Sequence, residues 1–236
     1  MIRLDRDGAR WTVMLDRPQK ANALSLAMLR ELDDIFASAA ENRDLRLLVV
    51  TGAGDRVFCA GADLGEATGA GGITTSALWE RVSGRLAGLA CLTIAALNGT
   101  LAGGGFGLAL ACDLRIAVPG ANFFYPVLGN GFLPQPSDVR RMISLIGPSR
   151  SKLILMAGQK LSAPEALGTG LVDRIASAQN MEGEIETLGS AALTGKEAVL
   201  AAIKRLCRDD CTARDIDDCF AAVYEGEETA LARLRL

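Results

Sequence analysis

Hydrophobic positions along this chain change period several times, and each change marks an element. Apolar and polar residues alternate over residues 2–6 and 11–16, which predicts two strands joined by a hairpin turn at Asp7-Gly8. Over residues 25–40 the period becomes helical: Leu26, Leu29, Leu32 and Phe36 share one face, with Ser25 placed to cap the N-terminus. Residues 45–51 form a short apolar run that reads as a buried strand, and Gly52-Ala-Gly-Asp55 as a turn. The cluster Gly69-Ala-Gly-Gly72 breaks the following helical stretch and predicts a mobile loop. A helix over residues 78–89, a strand over 93–97 and short strands over 114–118 and 122–124 come next. From Ser137 onward nearly everything reads helical apart from residues 171–175. There is no internal repeat, and periodicity alone predicts an α/β chain.

Two segments depart from simple periodicity. Phe58-Cys-Ala-Gly-Ala-Asp-Leu64 and Asn98-Gly-Thr-Leu-Ala-Gly-Gly-Gly-Phe-Gly107 each leave an apolar strand, turn through small residues and enter helix-forming sequence. Such turns leave backbone N–H groups without intrahelical partners. Facing one another, two of them would offer preorganised donors to a developing oxyanion. The glycine run is not a Walker loop, since no Gly-Lys-Ser/Thr follows, and no ribose-binding acid stands at the distance a dinucleotide fingerprint needs. Close helix–strand packing is the bland alternative for a run of small residues.

Composition narrows the classes. A chain of 236 residues, 50% hydrophobic, can bury a substantial core, and a net charge of −3 gives no basic footprint for nucleic acid. No apolar run is long enough for a membrane span and the N-terminus lacks a signal peptide's apolar segment, so a cytoplasmic location is expected. The 6 cysteines read as reduced core residues rather than a disulfide framework or a metal site. With 0 histidines, Ser–His, Cys–His and His–metal mechanisms are excluded for this chain acting alone.

Further motifs stand in order along the chain. They are Arg17-Pro-Gln-Lys-Ala-Asn-Ala-Leu24, Ala60-Gly-Ala-Asp63, Ala96-Leu-Asn-Gly-Thr-Leu-Ala-Gly-Gly-Gly105 and Ala111-Cys-Asp-Leu114. Gly147 with Ser151, and Leu161-Ser-Ala-x-Glu-Ala-Leu-x-x-Gly-Leu-Val-Asp173, complete the series. In this order and spacing the sequence resembles the crotonase, or enoyl-CoA hydratase/isomerase, superfamily over nearly its whole length. The resemblance implies an α/β spiral of ββα units over residues 1–190, binding acyl-CoA, and a helical trimerisation region over 191–236. It implies that the N–H groups of Ala62 and Gly104 form an oxyanion hole for a thioester enolate. Coenzyme A, as part of the substrate and with no other cofactor, would be held around Lys20, Ala21, Ala60, Ala62, Asp63 and Leu64. A homotrimer or a dimer of trimers is the implied assembly. Relatives often add a basic stretch after the position of Leu236, so the nucleotide is expected to be held less tightly here.

The same resemblance exposes a departure. The two positions where hydratases of the family carry glutamates are Gly107 and Val127, and neither can hold a proton. Among other carboxylates, Asp63 is expected to cap, Asp113 to bond backbone, and Glu165 to form a capping box with Ser162. Glu66, Tyr125 and Asp138 remain as polar candidates, with Asp138 and Gln135 expected in a loop on the pocket floor. Arg140 and Arg141 are expected to cover a surface or a subunit contact. Pocket depth is expected to be set by Phe106, Phe124, Leu128, Phe132 and the loop 67–73. Three functions are open: an acyl-CoA enzyme of the hydratase/isomerase type, or a decarboxylase or hydrolase using other groups; a noncatalytic acyl-CoA binder; and a structural oligomer partner.

Overall fold

A computed structural model describes residues 1–66, 72–208 and 210–224. The chain opens with β1 (Ile2–Asp7), β2 (Arg10–Leu15), α1 (Leu26–Glu41) and β3 (Leu47–Gly52). It continues through β4 (Val57–Cys59), α2 (Leu78–Ala87), β5 (Leu92–Leu97), β6 (Thr100–Ala102) and α3 (Phe106–Ala111). Next come β7 (Leu114–Ala117), β8 (Asn122–Phe124), α4 (Pro136–Leu155), β9 (Leu161–Ser162), α5 (Ala163–Thr169) and β10 (Arg174–Ile175). Three helices follow: α6 (Met181–Thr194), α7 (Glu197–Leu206) and α8 (Ala213–Tyr224).

The strands form two sheets. The larger has the order β1-β2-β3-β5-β7-β10, parallel except for the β1–β2 hairpin, and the smaller has the order β4-β6-β8-β9. In β2, Trp11, Val13 and Leu15 face inward against Met28, Leu29, Leu32 and Phe36 of α1. Strand β3 is apolar without alternation because both its faces are covered. Leu48 and Val50 join the main core, while Leu47 and Val49 join a second cluster with Ile94, Ile116 and Ile185 of α6. No helix among the described residues is long and apolar enough to cross a membrane.

Most expected elements stand within a few residues of their places. Gly8 (φ +54°) makes the hairpin turn, and Ser25 caps α1 by accepting from the Met28 N–H at 3.1 Å. Strands β4, β6 and β9, of two or three residues each, lie outside the strands expected from the sequence. The long helical run is interrupted at Gly147 (φ +75°), where Ser151 Oγ donates to the Gly147 carbonyl at 2.8 Å. The boundary expected at residue 190 falls inside α6. The expected loop around 67–73 lies largely outside the described residues, as does the chain from 225 onward.

Two asparagines position the turn between the sheets. Asn22 is fully buried, and its amide donates to the carbonyls of Ala53 (3.0 Å) and Val57 (2.8 Å) while accepting from the Arg17 N–H at 3.0 Å. Ala21 and Asn22 both take left-handed backbone angles (φ 50° and 53°), an uncommon pair outside glycine that these bonds hold in place. Asn98 accepts from the Gly52 N–H and donates to the Gly54 carbonyl, at 3.0 and 2.8 Å. The turn 52–57 is thereby fixed, and β4 is delivered alongside β6 with their two exits side by side.

Candidate active site

The first exit follows β4. The Leu24 N–H donates to the Gly61 carbonyl (2.7 Å) and the Asp63 N–H donates to the Leu24 carbonyl (2.8 Å), forming a parallel bridge centred on Ala62. In such a bridge the flanking residues make the bonds, so the N–H of Ala62 points the other way. The second exit follows β6, where Gly103 (φ +51°) starts a 3-10 turn, Gly103–Gly105, that runs into α3. Gly104 lies in the first turn, where a backbone N–H has no intrahelical acceptor. Neither nitrogen has a carbonyl partner among the described residues. The exits touch: a Cβ on Gly61 (φ +97°) would stand 2.9 Å from the Gly104 nitrogen, so only glycine fits between them.

Both turns border a narrow cleft of about 100 Å³, walled by Ala62, Gly104, Trp79, Tyr125, Val127 and Phe132. The Trp79 indole is fixed by its Nε1–H donating to the Ile73 carbonyl at 2.6 Å. A larger open groove of about 870 Å³ lies on the outer face of β1, β2 and β3, but it includes neither strand exit. The pair of turns, rather than cavity size, decides where chemistry is placed.

Residues 107 and 127 carry no ionisable group, and the polar candidates have distinct partners. Glu66 Oε2 accepts from the Leu26 N–H at 2.7 Å, which makes it a cap for α1 rather than a pocket acid. Asp63 accepts from the Gly65 N–H at 2.9 Å and pairs with Arg17, bonds that hold its carboxyl below the usual range. Asp113 accepts from the N–H and hydroxyl of Thr93 (2.8 and 2.9 Å) and also pairs with Lys204 of α7 at 2.8 Å. Glu165 and Ser162 make the expected capping box.

Asp138 differs from its expectation. It stands in the first turn of α4, not in a loop, and is only 1% exposed. Its Oδ2 accepts from the Tyr125 hydroxyl at 2.8 Å, and its Oδ1 has no partner among the described residues. Burial pushes its carboxyl up to about 7, against the opposing pull of the Tyr125 hydrogen bond. Burial and the neighbouring carboxylate likewise push the Tyr125 phenol above its ordinary range. Gln135, at the start of the same helix, reaches the cleft and donates to the Thr74 carbonyl at 3.4 Å.

Other expectations need correction. Arg141 is engaged within the chain, donating to Ser137 Oγ (3.2 Å) and the Ser83 carbonyl (3.3 Å), while Arg140 is exposed. Of the residues expected to set pocket depth, Phe132 does so. Phe106 instead stacks behind Tyr125 with ring centroids 5.3 Å apart, Phe124 sits under Lys160, and Leu128 is 67% exposed. All 6 cysteines are free, but Cys207 is exposed rather than in the core. Cys59 and Cys112 are pushed up to about 12 by burial, so neither is a nucleophile. Of the residues expected to hold coenzyme A, Ala60, Ala62 and Leu64 border the cleft; the Ala60 N–H donates to the Ala21 carbonyl at 3.0 Å, and Lys20 lies at the surface.

The α/β architecture brings two strand exits together at one cleft, a class of fold that its relatives identify. Residues 8–222 match the family described as Enoyl-CoA hydratase/isomerase, and the chain belongs to that family. It is 34% identical over 213 residues to the carnitinyl-CoA dehydratase of Proteus mirabilis, covering 88% of this chain and 80% of that one. It is 34% identical over 175 residues to the short-chain-enoyl-CoA hydratase of Clostridium acetobutylicum, covering 73% of this chain and 67% of that one. The crystal structure of an enoyl-CoA hydratase from Bacillus anthracis superposes with a TM-score of 0.86 at 28% identity, over 98% of this chain and 94% of that one.

Proposed function

We propose that this chain is an enzyme acting on acyl-CoA thioesters, in which the N–H groups of Ala62 and Gly104 hold the thioester oxygen while an enolate forms. The observation that carries this reading is the meeting of two unpartnered N–H groups at an apolar cleft. Donors fixed by the fold need no reorganisation when charge develops, and the apolar walls strengthen them. The rim of Lys20, Ala21, Ala60, Asp63 and Leu64 takes the coenzyme, with backbone groups making most contacts.

Hydration of an enoyl-CoA is a poor match to Gly107 and Val127. Each missing general acid or base removes roughly 10²–10⁴-fold. Crotonyl-CoA hydration is therefore expected to run orders of magnitude below that of a relative with both glutamates. A panel of CoA thioesters, read for products by mass spectrometry, tests the reading. Product from any member supports an enzyme, binding without product favours an acyl-CoA binder, and the absence of both overturns the reading in favour of a structural oligomer partner.

Self-association as a homotrimer or a dimer of trimers belongs to the same proposal. Helices α7 and α8 pack on each other, yet Ile203, Leu206 and Ile216 are exposed beside an apolar groove formed with Val199 and Phe220. Covering each such side chain contributes roughly 1.5–3 kcal/mol. Light scattering should report an assembly, and a stable monomer at micromolar concentration would refute it.

A further inference from the structure

Of the two positions where glutamates are expected, Val127 lines the cleft and Gly107 lies buried in α3, and the carboxylate closest to Gly107 comes from another helix. Asp138 reaches from α4 to α3: its Oδ1 stands 3.2 Å from where a Cβ on Gly107 would lie. The carboxylate thus occupies space that a side chain at residue 107 would claim. Its other oxygen is bonded to Tyr125, a wall of the cleft that also holds Gly104 and Ala62. Stacking on Phe106 sets the plane of the phenol.

No structural duty accounts for this carboxylate. Arg141, on the same helix, spends its donors on Ser137 and Ser83; its charge favours the ionised carboxylate from a distance, while Glu80 of α2 opposes it with like charge. Tyr125 is the single hydrogen-bond partner of the carboxylate among the described residues. A buried acid with no ion pair among the described residues, with one oxygen unpartnered there and the other on a pocket phenol, is how a proton-transfer group is built rather than a packing element.

We propose that Tyr125 and Asp138 form the proton-transfer pair of the cleft, replacing from α4 and the β8 exit what residues 107 and 127 lack. The inference rests on the thioester reading above. In the step, the C–H bond next to the thioester carbonyl breaks and its proton passes to Tyr125 Oη. At the same time the phenolic proton passes to Asp138 Oδ2. The electron pair of the broken bond delocalises onto the thioester oxygen, held by Ala62 and Gly104. Return of the proton to the same or a conjugated carbon reverses the relay, with no oxidation or reduction. Tyr125 is the group that touches substrate, and Asp138 acts through it.

The test is exchange of the α-hydrogens of butyryl-CoA in D₂O, followed by mass spectrometry, with binding measured separately by calorimetry. The wild-type chain should bind butyryl-CoA and deuterate it, at a rate that rises with pH through about 7 as Asp138 ionises. Asp138→Asn and Tyr125→Phe should each slow exchange by about 10²–10⁴-fold. Both should bind with undiminished affinity, and the residual rate of Asp138→Asn should lose the rise near neutrality. A purely structural role would weaken binding and leave the pH profile in place. Exchange by Asp138→Asn at the wild-type rate overturns the proposal, as does wild-type binding without exchange. Absence of binding overturns the thioester reading itself, and the pair's role with it.

Discussion

On heating at about pH 8, Asp138→Asn is expected to outlast the parent chain by roughly 10 °C, an advantage that shrinks on acidification and vanishes below about pH 4. The carboxyl titrates near 3.8 when unfolded and at about 7 when folded. Below the lower value both states are protonated and burial carries no charge penalty. Between the two values the folded state binds more protons than the unfolded one, so stability falls as pH rises. Above the upper value the full penalty is present, about 4 kcal/mol for a gap of this size. Asparagine mimics the neutral form and can still accept from Tyr125. An acid in the first turn of α4 gains at most about 2 kcal/mol from the helix dipole, less than the penalty. Melting curves across pH check this, and a difference between variant and parent that does not vary with pH would refute it.

Gly104→Ala should cost nearly as much as losing one oxyanion donor, about 2.7–4 kcal/mol in the barrier, or 10²–10³ in rate. Its Cβ would stand 2.8 Å from Trp79 Cη2, closer than real side chains approach. The indole is buried and held at Nε1, so the turn must give, and the N–H it carries loses its aim. Gly84→Ala, at an exposed position in α2 with open space around it, serves as the control and should leave the rate unchanged. Trimming the neighbour with Trp79→Phe should recover part of the loss in the double variant, because residues in contact couple. Equal α-exchange rates in Gly104→Ala and wild type would remove residue 104 from the mechanism.

Much of this was legible before any coordinates. Alternation in residues 2–16, helical spacing over 25–40 and the apolar run ending at Thr51 each report how many faces an element buries, and that is a local signal. The small-residue turns were legible too, because a strand exit into a helix start fixes where N–H groups go. The pairing of Tyr125 with Asp138 was not. Nothing local distinguishes a first-turn aspartate that faces solvent from one driven against another helix, and that outcome depends on how α4 packs on α3. The bond from the Leu26 N–H to Glu66 was hidden for a related reason: its donor, the N-terminus of α1, lies far back in the chain. Leu128 and Phe106 have the composition of a pocket wall, yet Leu128 is exposed beyond the β8 exit and Phe106, opening α3, stacks behind Tyr125, and neither outcome has a local signal.

The glycine at 107 also constrains the order in which this protein could have changed, or could be changed again. A glutamate restored there while Asp138 remains would press one carboxylate onto another already seated 3.2 Å from the new Cβ, in a buried space that cannot hold two negative charges. The same substitution made after Asp138 has become small meets an empty slot. One mutation is thus deleterious or permitted according to what came before it. An ancestor with an acid at 107 would have had to surrender it before residue 138 could take up its present position. The two helices leave room for one carboxylate between them, and whichever residue fills it excludes the other.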